Sequence, residues 1–316
     1  MPDSSRILIV GGLGLVGAQL ARQFGSTAEA WVTYRSLSPE REQWLKQQQG
    51  RVVGVPYDSA RDESIKVTGD FAAIINVALP GAAESGRDPA GSQTAALRTA
   101  EACLQLLETG RAQRLIHFSS FHVYGPQSRP IYHESDAVNP QHPYGRNHQA
   151  CEQRLLERGA GRRIFILRPT NIVGAPAHGD LREQARLLVL DLCQQAVKTG
   201  CLNLHNDGKS YRDFLPLTDA LSAVRLLLTL EDHNLPVILN MAGSKAWSIA
   251  ALAQEIRAAT EMILGAAPPI TWGTGHDAFR EPFTVSTARL RGMGWQPQGG
   301  LRSEIGAALQ FFAQQQ

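Results

Sequence analysis

Between Arg6 and Pro169, six apolar runs of strand length (RILIVG, WVTY, RVVGV, AAIINVA, RLIHFSS and RIFILRP) alternate with helix-length stretches such as GAQLARQF and TAALRTAEACLQLLE. The runs are continuous rather than every-other-residue, which suits strands covered on both faces. Strands of this kind separated by helices pair in parallel, so the pattern predicts an α/β fold, a Rossmann-like doubly wound parallel sheet. After Arg168 the rhythm loosens into a helix-like stretch, LREQARLLVLDLCQQAVKTG, and segments rich in Gly, Pro and aromatics. The expected organisation is a sheet domain over residues 1–168 and a smaller α/β substrate-binding region over 169–316, partly interleaved with the sheet.

The first run ends in GGLGLVG, a GxxGxxG turn of Gly11, Gly14 and Gly17 with Leu15 at the start of the following helix. Glycine suits this junction because the turn uses backbone angles that a side chain disfavours, and because a pyrophosphate must come close to the helix N-terminal amides. A plain tight turn is the alternative, but at the first strand-to-helix junction of an alternating chain the arrangement points to dinucleotide binding by the domain. The second run carries no acidic residue at its end for a ribose 2′-hydroxyl. It closes with Tyr34 and Arg35, and an arginine without a carboxylate nearby can pair with a 2′-phosphate, which points to NADP, with NAD as the alternative. Asp58 and Ala78 follow the third and fourth runs, at strand ends where ligands gather in open α/β sheets.

Six motifs in order, GGLGLVG, HFSSFHVYG, HPYGRNH, ILRPTNIVG, SYRDFLPLTDA and RLRGMGWQP, resemble the extended short-chain dehydrogenases/reductases of the NAD(P)-dependent nucleotide-sugar epimerase/dehydratase family. The resemblance implies that Ser120 binds the reacting carbonyl or hydroxyl and that Tyr144 is the acid/base. It also puts His148 at the position of the lysine that holds the nicotinamide ribose in relatives. It implies that Asn171 and Arg212 contact a substrate diphosphate, which the planar fork of an arginine suits. His122, beside Ser120, is a candidate for substrate contact, and Arg280 a second cation. The acidic pair that dehydratases carry before VYG is replaced here by Phe121 and His122, which argues against elimination of water.

Tyr144 and His148 lie four apart and share a helix face. A histidine supplies a positive charge only below about pH 6.5, so the phenol lacks the ammonium that would favour its ionised form. A protonated phenol is an acid, and this predicts a ketoreductase acting on a nucleotide-linked keto sugar or another small carbonyl compound. The alternatives are a nucleotide-sugar epimerase, which needs both directions, and a dinucleotide-binding protein with a degenerate, non-catalytic site.

With Lys+Arg 31 against Asp+Glu 29 and no basic run, the sequence offers no nucleic-acid surface. The four cysteines form no CxxC pair and no metal-ligand spacing. No window is apolar enough for a membrane helix and MPDSSRILIV lacks a signal pattern, so a cytoplasmic protein without metal or membrane contact is expected. The family resemblance implies a homodimer through two helices per subunit; Leu104, Leu107, Cys151 and Leu155 are compatible with that bundle, and core packing explains them equally well.

Overall fold

The computed structural model describes residues 6–48, 50–62, 64–126, 129–180, 187–230, 237–243, 245–275 and 279–315. The elements that matter for the site run β1 (Arg6–Val10), α1 (Leu15–Phe24), β2 (Glu29–Tyr34), α2 (Pro39–Gln47), β3 (Val52–Pro56), β4 (Ala73–Asn76), α3 (Ala82–Arg87), α4 (Pro89–Glu108) and β5 (Leu115–Phe118). A single 3-10 turn (Phe121–Tyr124) follows, then β6 (Ile131–Tyr132), α5 (Pro143–Arg158), β7 (Ile164–Pro169), β8 (Asn171–Val173) and α6 (Leu188–Thr199). Next come β9 (Leu202–Asn203), β10 (Tyr211–Pro216), α7 (Leu217–Thr229), β11 (Val237–Met241) and β12 (Ala246–Ser248).

Seven strands form one sheet in the order β11-β7-β5-β4-β1-β2-β3, and the pairings from β7 across to β3 are all parallel. The six apolar runs are β1 to β5 and β7. Their burial explains their composition: β4, β5 and β7 are buried at every residue, whereas β2 and the edge strand β3 alternate. Ile74, Leu115, Ile164 and Leu104 pack in one cluster with no exposed surface. Each such side chain contributes about 1.5–3 kcal/mol of burial free energy. The seventh strand, β11 (VILNM), is absent from the runs read above.

Strand order reverses at β1, with β2 and β3 on one side and β4 onward on the other. The C-terminal ends of β1 and β4 are therefore the switch point where a ligand finds a crevice.

The chain divides into two compact units, one of Met1–Gly125, Ser135–Arg168 and Val224–Leu239, the other of Pro126–Glu134, Pro169–Ala223 and Asn240–Gln316. The second unit holds a small sheet in which β10 pairs in parallel with β8 and antiparallel with β12. Of the helix expected over LREQARLLVLDLCQQAVKTG, α6 accounts for Leu188–Thr199, and residues 181–186 lie outside the described residues, as do residues 1–5 of the N-terminal stretch. No described helix is long and apolar enough to cross a membrane.

Candidate active site

The glycine turn is tied to the end of β2: Gly11 N donates to Thr33 Oγ1 at 2.9 Å and Gly12 N to Thr33 O at 3.1 Å. Gly11 has φ +83°, and a Cβ there would lie 2.8 Å from Ala78 Cβ. A Cβ on Gly17 would lie 2.3 Å from the Gly11 carbonyl oxygen, so α1 can press against the turn only without side chains. Gly14 caps α1 with no side-chain hydrogen bond, leaving the amides of the first turn, beginning at Leu15, to face the switch point. Ala78 N donates to Asn76 Oδ1 at 3.1 Å. These residues fit a dinucleotide: the close approach is already made by backbone, and the helix terminus keeps its donors.

Tyr34 and Arg35 stand at the end of β2, but the premise that no carboxylate is near needs correcting. Glu84, on α3, places Oε1 3.1 Å from Arg35 Nη1. The two are 49 residues apart, so only the fold brings them together. Asp58, beyond β3, is engaged locally: its carboxylate accepts from Ala60 N at 3.1 Å and lies 3.7 Å from Arg61 Nε.

The candidate constellation grows from the start of α5. His142 is the N-cap, its Nδ1 accepting from Tyr144 N at 3.2 Å, and Pro143 occupies the first turn. This sets Tyr144 in the first turn and His148 one turn later on the same face. Gly145 lets the helix seat itself on the 3-10 turn, since a Cβ there would be 2.7 Å from His122 O and 2.8 Å from Pro140 Cβ. Ser120 caps that turn, its Oγ accepting from His122 N at 3.2 Å, and it hydrogen-bonds the Tyr144 phenol. His122 is exposed and meets the Tyr144 ring edge-on at 5.6 Å.

The Tyr144 ring also stands edge-on to His148, centroids 4.5 Å apart. His148 is buried, and among the described residues neither of its ring nitrogens has a hydrogen-bond partner. Burial drives its pKa down to about 3, helped by the nearby His117 and His122. Its ring is a neutral imidazole at physiological pH, with one donor and one acceptor to offer. Burial raises the Tyr144 phenol above its ordinary value, against the hydrogen bond from Ser120, which lowers it.

Two groups escaped the sequence reading. His117, on β5, accepts at Nδ1 from Asn76 Nδ2 at 3.0 Å, so its proton sits on Nε2, a buried donor without a partner among the described residues. The signal was a histidine and an asparagine inside otherwise apolar runs. Glu152 is the other: it accepts from Ser119 Oγ at 2.5 Å and takes Arg168 in a two-point pair at 2.9 and 2.6 Å, all buried. The Arg168 guanidinium also lies 4.8 Å from the Tyr124 ring centre. This cluster ties α5 to the ends of β5 and β7, and with them Tyr144 to Ser120.

In the second unit, Arg212 and Asn171 share the small sheet. Asn171 Nδ2 donates to Asp213 O at 2.8 Å, and Arg212 sits half-buried opposite Trp247. Arg280 is committed to Asp207, with two contacts of 3.0 Å. The four apolar candidates for an intersubunit bundle, Leu104, Leu107, Cys151 and Leu155, are all buried within this single chain, so core packing explains them.

Residues 7–242 match the family model described as the NAD dependent epimerase/dehydratase family. A UDP-glucose 4-epimerase of Rhizobium meliloti (strain 1021) is 27% identical over 319 residues, covering 94% of this chain and 93% of its own. A UDP-glucuronic acid 4-epimerase of Bacillus cereus, solved with UDP-glucuronic acid and NAD, superposes with a TM-score of 0.82 at 19% identity, covering 98% of this chain and all of its own. RMD of Pseudomonas aeruginosa, solved with NADPH, superposes at 0.77 with 22% identity, covering 99% of this chain and all of its own.

Proposed function

From the premise that this chain belongs to the NAD dependent epimerase/dehydratase family, we propose that it is a nicotinamide-dinucleotide enzyme that epimerises a nucleotide-linked sugar. The observation that carries this is the Tyr144 ring set against the buried imidazole of His148, with Ser120 hydrogen-bonded to the phenol. The curated relative, alike over almost the whole chain, supports epimerisation in preference to the one-way reduction expected from the sequence.

Gly11, Gly14, Leu15, Gly17 and Ala78 would hold the dinucleotide backbone and His148 its nicotinamide ribose. Bound there, the dinucleotide supplies a hydride acceptor when oxidised, whose positive ring also favours a phenolate, and a hydride donor when reduced. The chain's own residues handle the proton. Tyr144 Oη takes it from the sugar hydroxyl as that carbon is oxidised, and returns it when the ketone is reduced on its other face. Ser120 Oγ holds the same oxygen through both half-steps. His148, uncharged, orients without adding a cation. Arg212 and Asn171 are the residues we assign to the substrate diphosphate, with His122 beside the sugar. We infer a homodimer on the family's pattern, built from side chains other than the four already used in the core.

Incubating the protein with NAD and UDP-galactose and separating the nucleotide sugars by chromatography tests this. Conversion to UDP-glucose, lost in Tyr144→Phe, is expected. A second reading, a ketoreductase, is favoured by the neutral imidazole and the raised phenol, which suit proton donation. Oxidation of NADPH by a nucleotide 4-keto sugar, without any epimerisation, would replace the first reading with the second.

A further inference from the structure

We propose that Glu84 and Arg35 together read the 2′ position of the dinucleotide's adenosine ribose, with Glu84 supplying from α3 the carboxylate that β2 lacks and selecting NAD over NADP. The proposal rests on the dinucleotide reading above and adds to it a residue that determines specificity.

Position is the first argument. Thr33 binds the glycine turn through both its hydroxyl and its carbonyl, and Arg35 follows two residues later. From the other side of β1, Ala78 packs against Gly11, and six residues beyond it the chain returns as α3 to bring Glu84 to Arg35. The pair therefore stands at the rim of the same crevice that the glycines open.

Support is the second. Ser85, next to Glu84, is buried; its Oγ donates to Pro80 O at 3.3 Å and accepts from Asn147 Nδ2 at 3.2 Å. Asn147 also donates to Ser92 Oγ at 3.0 Å, and it lies on α5 between Tyr144 and His148. The catalytic helix thus fastens α3, and Glu84 is delivered from a braced helix to a strand end.

Charge is the third. A carboxylate accepts from ribose hydroxyls and repels a 2′-phosphate, and while paired with Glu84 the Arg35 guanidinium is neutralised as a phosphate site. The pair is open, with the two side chains 62% and 44% exposed, so solvent screens it and either partner can turn to a ligand. Removing Glu84 alone leaves Arg35 free to take a phosphate.

Calorimetric titration of the full-length protein with NAD and with NADP tests this. Wild type is expected to bind NAD the tighter by about tenfold, and Glu84→Gln to abolish the preference through a gain of about tenfold in NADP affinity. The double variant Glu84→Gln/Arg35→Ala is expected to lose that gain. An NAD-to-NADP affinity ratio unchanged in Glu84→Gln overturns the selector and leaves the dinucleotide reading standing. A gain that survives without Arg35 also overturns it, because another cation such as Arg41, whose Nη1 donates to Ser36 O at 3.3 Å, would then be responsible. If wild type bound neither dinucleotide, the reading of the site itself would fall, and this proposal with it.

Discussion

Tyr144 and His148 meet ring edge to ring face, 4.5 Å between centroids and 75° between planes, and neither carries a charge at neutral pH. Where the related family places an ammonium beside its phenol, this chain has a desolvated imidazole. In the proposed reaction, proton donation by Tyr144 is thereby ready, and proton acceptance waits for a charge brought by something else.

His148→Lys should restore that charge. The expected outcome is a lower phenol pKa and a faster oxidative half-step near pH 7, by about tenfold for each unit recovered. The reductive half-step should change less. Rate profiles of both directions from about pH 6 to about pH 10 check it, and superimposable curves for wild type and variant would refute the electrostatic argument.

Acid should loosen the fold through the same histidines. His117 and His148 have folded pKa values of about 3, depressed by burial from 6.5. Below 6.5 the unfolded chain binds protons that the folded chain refuses, so their stabilisation is present above that pH and is lost as pH falls toward 3. Each contributes a slope of at most about 1.4 kcal/mol per pH unit. Asp213, raised by burial to about 6, acts in the opposite sense as pH falls from 6 toward its usual range. The comparison is therefore between urea midpoints of wild type and His117→Gln across that window, and the variant should show the shallower loss.

Glu152→Gln should be costly. It leaves the Arg168 guanidinium buried without its countercharge, and removal of one partner of such a pair costs about 3–5 kcal/mol. Replacing both, in Glu152→Leu/Arg168→Met, should recover most of the loss. Chemical denaturation measures both; a single variant within about 1 kcal/mol of wild type would mean that the cluster does not hold α5 in place.

Gly145→Ala tests the seat of α5. Its Cβ would meet the His122 carbonyl at 2.7 Å, a backbone atom that cannot step aside, so the start of α5 must shift. A displacement of about 1 Å costs on the order of a hundredfold in turnover, with dinucleotide affinity expected to fall much less because the glycine turn is untouched. Equal losses in both would place the effect in global stability instead.

Six of the seven strands of the large sheet and the glycine turn were legible in the sequence because they depend on near neighbours. A strand buried on both faces needs an unbroken apolar run, as in residues 164–167, and the turn at Gly11 needs positive φ and no side chain. Spacing likewise determined that Tyr144 and His148 share a face. What the tertiary structure alone decided is environment: Glu84 beside Arg35 across 49 residues, Glu152 beneath Ser119 across 33, and the burial that strips His148 of charge. A side chain's charge state and its partners depend on solvent exclusion and on the distances between separate elements. Neither is a property of any local stretch of chain.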